Sequence, residues 1–202
     1  ILVSPDGERT MATHIGIGSQ LHPGELTEDS LKGIDHIYME SYLWDHDLTK
    51  QTLKKVGKIA KAINIETSLS LSDPFCVDRH RDELKEFIEE YVDLVFCNFD
   101  EGKMFAQSET MADVSSLFQS FGKKIAMTAS AEGAYYFHGE TVAHQPAQKI
   151  EQVIDTTGAG DNFAAGFLDQ YLSDKTIDEA LAQGNARAGE VIQQLGPRIK
   201  RH

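Results

Sequence analysis

The chain is poor in cationic charge, in thiols and in long apolar runs, and each shortage removes a class of function. Lys and Arg number 19 against 32 Asp and Glu, for a net charge of −13. That balance argues against a general nucleic-acid surface, which needs a basic face to meet phosphates. The run Arg198-Ile199-Lys200-Arg201-His202 is the local exception and reads as a solvated end. Cys76 and Cys97 are the two thiols. Without CxxC spacing they read as buried residues of a reducing compartment, so a cytoplasmic location is expected. No apolar run approaches a membrane span, and nothing at the N-terminus resembles a signal peptide, so no membrane partner is expected. A G-x-x-x-x-G-K-[ST] motif is absent, which excludes a nucleotide site of the P-loop kind. Neither H-E-x-x-H nor a histidine spacing suited to zinc occurs among the eight histidines, and no serine sits in a G-x-S-x-G elbow. There is no internal repeat and no low-complexity linker.

What is present suits one α/β domain over residues 1–202, with 41% apolar residues to build a core. Ile1 to Ser4 and Arg9 to Thr13 flank the turn Pro5-Asp6-Gly7-Glu8 and predict a hairpin within residues 1–14. Strands are predicted at Ile34–Met39, Thr67–Leu71, Leu94–Cys97 and Lys124–Thr128. Helices at Asp47–Ile63 and Asp78–Tyr91, and helical segments at Gly102–Ala106 and Met111–Phe121, fall between them. That alternation predicts a mostly parallel central sheet with helices on both faces, a three-layer αβα arrangement. Tyr135-Tyr136-Phe137 and Thr141-Val142-Ala143 predict a second hairpin around His138-Gly139-Glu140. Thr176 to Glu179 forms a capping box that opens a last helix bearing Ala180, Leu181, Ala188, Val191 and Ile192.

The most informative stretch is Asp155-Thr156-Thr157-Gly158-Ala159-Gly160-Asp161-Asn162-Phe163, continuing to Leu168. Gln152-Val153-Ile154 reads as the end of a strand, and Phe163, Ala164, Phe167, Leu168 and Tyr171 recur at helical spacing. A helix start leaves backbone N–H groups unpaired and carries partial positive charge, so it attracts anions. Glycine admits a ligand that a Cβ would hold off. Asp161 falls in the first turn, where a carboxylate can take a proton from an attacking hydroxyl. Together these are the elements of phosphoryl transfer. A tight turn with an acidic residue well placed for the helix dipole accounts for the same residues. Asn98 and Glu101 leave the C-terminal edge of a buried strand three residues apart, where an amide oxygen and a carboxylate can order the water shell of Mg²⁺. An N-cap explains that spacing equally well.

Asp155 to Leu168 resembles the second signature of the ribokinase-like (PfkB-type) carbohydrate and nucleoside kinases, Asp-Thr-x-Gly-Ala-Gly-Asp followed by small and apolar residues. Asn98-Phe99-Asp100-Glu101 resembles the family's Asn-x-x-Glu motif. The stretch around Ser72-Asp73-Pro74-Phe75-Cys76 resembles adenosine-kinase-like members. The resemblance implies a ribokinase-like fold and transfer of the γ-phosphoryl of ATP to a hydroxymethyl group of a sugar or nucleoside. It implies Asp161 as catalytic base, the amides of Gly158, Ala159 and Gly160 as an anion hole, and Asn98 and Glu101 as organisers of Mg²⁺. It also implies nucleotide contacts from Asn98, Thr128, Gly133 and Asn185, K⁺ beside Asp155 and Thr157, and a homodimer as one form of assembly. Glycine usually stands where this chain has Ser41, and again where it has Ser130. The Gly7 to Thr10 hairpin resembles one near the family's lid, from which Arg9 would reach a phosphate; a surface arginine beside a turn fits the same residue. The chain opens strand-like with Ile1-Leu2-Val3, and it is expected to be the C-terminal two-thirds of such a fold, with most acceptor-gripping residues upstream.

Two other classes stay open on the residues alone. One is a non-catalytic nucleotide-binding or regulatory protein on the same fold. The other is a dinucleotide-dependent oxidoreductase, against which the incomplete Gly16-Ile17-Gly18 fingerprint counts. Asp73 at a strand end, and the cations Arg79, His80 and Arg81 after it, are further candidates; a turn former and a solvated helix start explain them as well.

Overall fold

A computed structural model describes residues 1–200 of the chain. The chain divides into two compact units. One holds His14–Ile125 with Phe137–Glu140, the other Ile1–Thr13, Ala126–Tyr136 and the residues from Thr141 on. In chain order the strands are β1 (Leu2–Val3), β2 (Arg9–Thr10), β3 (His36–Glu40), β4 (Glu66–Ser70), β5 (Leu94–Asn98), β6 (Lys124–Thr128), β7 (Ala134–His138) and β8 (Thr141–Gln145). The helices are α1 (Asp47–Ile63), α2 (Pro74–Tyr91), α3 (Phe99–Ala106), α4 (Met111–Ser120), α5 (Ala159–Tyr171) and α6 (Ile177–Val191). Strands β3 to β8 form one six-stranded sheet in that order, while β1 and β2 pair separately and antiparallel. The sheet is mostly parallel and the fold is α/β, with helices packed around the sheet. Among the described residues no helix is long and apolar enough to cross a membrane.

Parallel neighbours need a crossover, and helices supply it. Strand β3 registers His36 on Glu66 and Glu40 on Ser70, and β4 registers Ser68 on Leu94 and Ser70 on Phe96. The C-terminal ends of β3, β4 and β5 therefore come level, which places Glu40, the Ser70–Asp73 turn and Asn98 at one edge of the first unit. Strand β5 is buried from Leu94 through Cys97, as a strand covered on both faces must be. Helix α1 turns Leu53, Val56 and Ala60 inward and stops at Asn64 in the left-handed region (φ 59°). Trp44 packs edge-on against Phe87 of α2, ring centroids 4.7 Å apart.

Two expectations about elements are corrected. Helix α2 begins one turn before Asp78, because Asp73 caps it: its Oδ1 accepts from the amides of Phe75 (2.7 Å) and Cys76 (3.2 Å). Pro74 then occupies the first helical position, where its missing N–H costs nothing. The second correction concerns Gln152-Val153-Ile154, which is not a strand. The amides of Ile154 and Asp155 both donate to the Ile192 carbonyl (2.8 and 3.3 Å), and that of Thr156 donates to Gly7 (3.1 Å), so no ladder partner remains.

In the second unit, helices α5 and α6 pack closely because glycines face the contact. A Cβ on Gly166 would lie 2.7 Å from the Gln183 carbonyl oxygen, and one on Gly184 would lie 2.7 Å from the Phe163 ring. The Thr176–Glu179 capping box forms as read from the sequence, both reciprocal bonds being present.

Candidate active site

The start of α5 is built to stay open. Its N-cap is Gly158, at φ 77°, and no side chain caps the helix. A Ser, Thr, Asp or Asn there would fold its own oxygen over the first amides. Glycine does not, and its left-handed backbone is one that L side chains adopt at a cost. A Cβ at this position would also lie 2.6 Å from Cβ of Pro197. The Ala159 amide donates to the Thr156 carbonyl (3.2 Å). It is therefore already engaged, unlike the amides of Gly158 and Gly160, which meet no protein acceptor among the described residues. Asp161, in the first turn, is exposed and enters no hydrogen bond or ion pair among the described residues. The open donors therefore belong to Gly158 and Gly160 rather than to all three residues of the run.

Just upstream, Asp155 is 3% exposed and its carboxylate is tied on both oxygens. Oδ1 accepts from the Thr157 amide and Oδ2 from the Gly196 amide, each at 2.9 Å. The Thr157 side chain first, then the Gly196 and Thr157 amides, hold this carboxyl below the usual carboxylate range. The Thr157 hydroxyl is nonetheless buried without completing a hydrogen bond of good geometry. Such an orphan beside a carboxylate is the kind of oxygen a cation can take up. Thr156 faces the other way: its Oγ1 donates to Gly7 O (3.2 Å) and accepts from Arg9 Nη1 (3.0 Å). Arg9 thus anchors the β1–β2 hairpin to this loop.

In the other unit, Asn98 and Glu101 form a complete capping box on α3. Asn98 Oδ1 accepts from the Glu101 amide (2.8 Å), and Glu101 Oε2 accepts from the Asn98 amide (2.9 Å). Asn98 Nδ2 donates to Glu101 Oε1 at 2.7 Å. Glu101 is 5% exposed. Burial pushes its pKa up to about 7, against the pull of the Asn98 amide, and the carboxylates of Asp73, Glu40 and Asp100 raise it further. This surplus of negative charge fits a divalent cation held through water. Among the described residues no three His, Cys, Asp or Glu side chains are grouped to hold a metal directly.

Ser41, in place of the family's glycine, is fully buried and spends its hydroxyl on the Leu71 carbonyl (2.6 Å). Ser72 is left-handed (φ 62°) and donates to Glu40 Oε2 at 2.5 Å. Asp73 is a cap, as described. Arg79 and His80 both bind Asp45 (2.7 and 2.9 Å), and Arg81 donates to the Phe105 carbonyl (2.7 Å). These cations serve the scaffold around α2.

Thr128 ends β6, and the loop after it keeps the shape glycine would give: Ser130 is left-handed at φ 50°. Gly133 (φ 100°) is demanded by its own chain, since a Cβ there would lie 2.1 Å from the Gln145 carbonyl oxygen. Asn185 donates through Nδ2 to the carbonyls of Gln145 (2.8 Å) and Pro146 (3.3 Å), pinning the segment that leaves β8. Gly16-Ile17-Gly18 lies in a short 3₁₀ helix, Gly16–Gln20, with no strand running directly into it and no α-helix opening from it, so the dinucleotide fingerprint has no structural context.

Three residues at the α5 start escape sequence reasoning. Gly196 and Pro197 reach Asp155 and Gly158 across about forty residues of chain. Asn162 donates through Nδ2 to the carbonyls of Gly158 (2.7 Å) and Pro197 (2.9 Å). The one local signal was a Gly-Pro pair just past the last helix.

A family model described as pfkB family carbohydrate kinase matches residues 1–201. The crystal structure of an adenosine kinase from Sinorhizobium meliloti superposes with a TM-score of 0.93 at 39% identity, over 97% of this chain and 60% of that one. A cytidine kinase of Thermococcus kodakarensis is 31% identical over 150 residues, which is 73% of this chain and 53% of that protein. An adenosine kinase of Schizophyllum commune is 26% identical over 216 residues, covering 96% of this chain and 62% of that protein. The chain thus spans between about half and three-fifths of the length of these relatives. With the signature run, its open helix start and the match along nearly the whole sequence all in agreement, the chain belongs to the pfkB family of carbohydrate kinases.

Proposed function

We propose that the protein transfers the γ-phosphoryl group of ATP to a hydroxymethyl group of a sugar or nucleoside, with Asp161 as general base. The hydroxyl oxygen forms a bond to the γ-phosphorus as the bond from phosphorus to the β–γ bridging oxygen breaks. The hydroxyl proton passes to Asp161, and ADP leaves with the bridging oxygen. The amides of Gly158 and Gly160 stabilise charge on the transferring group; losing one such donor typically costs about 3 kcal/mol of barrier. The observation that carries this reading is the α5 start, where uncapped amides and an unengaged carboxylate share one helical turn. Relatives named adenosine kinase and cytidine kinase support a nucleoside as the acceptor.

Asn98 and Glu101 would hold Mg²⁺ through water, and the ion would supply neutralisation of phosphate charge. Asp155 and the orphaned Thr157 hydroxyl would hold K⁺. Thr128, Gly133 and Asn185 shape the nucleotide's surroundings, Asn185 by fixing the Gln145–Pro146 backbone. The Ala159 amide takes no direct part, being bonded within the turn.

The test is Asp161→Asn in the full-length protein, assayed for ADP formation with adenosine, cytidine, ribose and fructose. General bases contribute on the order of 10²–10⁴-fold, so turnover should drop by that factor while ATP affinity stays within about twofold. Unchanged turnover would end the proposal.

A further inference from the structure

We infer that Asn162 is a positioning residue for the anion-binding turn: it clamps the Gly196–Pro197 segment onto the start of α5 and fixes which amides face outward. The inference rests on the phosphotransferase reading for its kinetic consequence but not for its geometry. Gly158 leaves α5 without a side-chain cap, so something else must hold the first turn in place. The Gly158 carbonyl accepts twice from Asn162, from its backbone amide at 2.9 Å and from Nδ2 at 2.7 Å. At the other end of the same peptide group, the Ala159 N–H donates to Thr156 O at 3.2 Å. That peptide plane is thus pinned at both ends. It is the reason Ala159 turns its amide into the loop while the peptide groups on either side keep theirs open.

The second Asn162 bond, to the Pro197 carbonyl at 2.9 Å, reaches a segment 35 residues away in sequence. That segment does two things at the site. Pro197 presses on the α carbon of Gly158 so closely that no side chain fits between them. Gly196 donates its amide to Asp155 Oδ2 at 2.9 Å. A single carboxamide therefore joins the helix start, the C-terminal turn and, through Gly196, the buried carboxylate. An amide at this position supplies two donor hydrogens from one nitrogen, which neither the hydroxyl of serine nor the carboxylate of aspartate can do.

The proposal is tested with Asn162→Ala and Asn162→Ser in the full-length protein beside wild type and Asp161→Asn. A serine one helical turn on can still bond the Gly158 carbonyl but cannot reach Pro197. Misplacing reacting groups by about 1 Å can cost about 10²-fold. Asn162→Ala should therefore lower kcat by about 10- to 100-fold, with KM for the acceptor within about twofold, and Asn162→Ser should fall between. Hydrogen exchange of the peptide spanning residues 192–199, the Gly196 amide above all, should quicken in both variants. A merely structural role would lower the thermal midpoint and leave kcat of the folded enzyme untouched. Wild-type kcat in Asn162→Ala, with Asp161→Asn inactive, would overturn the positioning role while leaving the kinase reading intact. Should wild type itself transfer no phosphoryl group, the kinase reading fails and exchange alone decides: unchanged exchange at Gly196 in Asn162→Ala refutes the clamp, and faster exchange upholds it.

Discussion

Helices α3 and α5 both begin at the motifs that stand out in the sequence, and they begin in opposite ways. Helix α3 is closed by its own side chains, with Asn98 and Glu101 exchanging three hydrogen bonds over the first turn. Helix α5 starts from a left-handed glycine with no side-chain cap, and its first-turn carboxylate does not fold back on the amides. A closed start stabilises its helix by about 1 kcal/mol and offers an anion nothing. An open start forgoes that and keeps donors and partial positive charge for a ligand. The stability forgone at α5 is recovered from other parts of the chain, through Asn162, Pro197 and the Asp155–Gly196 bond. Acidic side chains at the two starts differ in the same sense. Glu101 is buried with a pKa near 7, whereas Asp161 stands exposed to whatever binds there.

The contrast breaks most readily in activity. Asp161→Asn should remove about 10³-fold of turnover and leave the thermal midpoint nearly unchanged, because that side chain holds nothing in place. If Asp161→Asn instead unfolded the protein, the exposed carboxylate would have to be structural and the contrast would vanish.

Next in size is the pH response of the closed start. The pKa of Glu101 is raised in the fold from 4.5 to about 7. In the unfolded chain it ionises first, so between these values the unfolded state is favoured progressively. Below about pH 4.5 both states keep the proton and the penalty is absent; above about pH 7 it is fully present. The difference is on the order of 3 kcal/mol at 1.36 kcal/mol per pH unit. Urea unfolding in metal-free buffer should therefore show this group's contribution eroding stability as pH rises through that window. Glu101→Gln, which keeps an acceptor for the Asn98 amide, should flatten the trend. An identical slope in the variant would contradict the assignment.

A smaller change falls at the open start. Gly158→Ala forces a Cβ at φ 77° against Pro197. A left-handed non-glycine residue costs about 1–3 kcal/mol, so denaturant midpoints should drop accordingly, and phosphoryl transfer should drop with them. Full stability in this variant would show that the turn relaxes and that glycine is not required there.

Much of this was legible in the sequence, for a physical reason. Periodic burial marks long elements, so α1 is predicted over Asp47–Ile63 and β6 over Lys124–Thr128, the bounds observed. The two signature runs are local, so their positions at helix starts could be read directly. What stayed hidden depends on contacts between distant residues. Val153 and Ile154 look strand-like, yet their segment is captured by the C-terminus of α6 and the Gly7 turn. The first turn of α2 hides behind Asp-Pro, which signals a turn and a helix start alike. The orientation of the Ala159 amide is set by its bond to the Thr156 carbonyl and by Asn162 holding the Gly158 carbonyl, which no residue type announces, and the Asn162–Pro197 bond joins residues whose pairing has no sequence mark.

On the proposed function, the first amides of α5, and not those of α3, receive the phosphates of ATP. Glycine-selective ¹⁵N labelling of the full-length protein, followed by titration with ATP and Mg²⁺, reports on it residue by residue. Large shifts of the Gly158 and Gly160 amide resonances, with Gly102 in α3 nearly still, are the predicted result. Unmoved Gly158 and Gly160 signals at saturating ATP would contradict it.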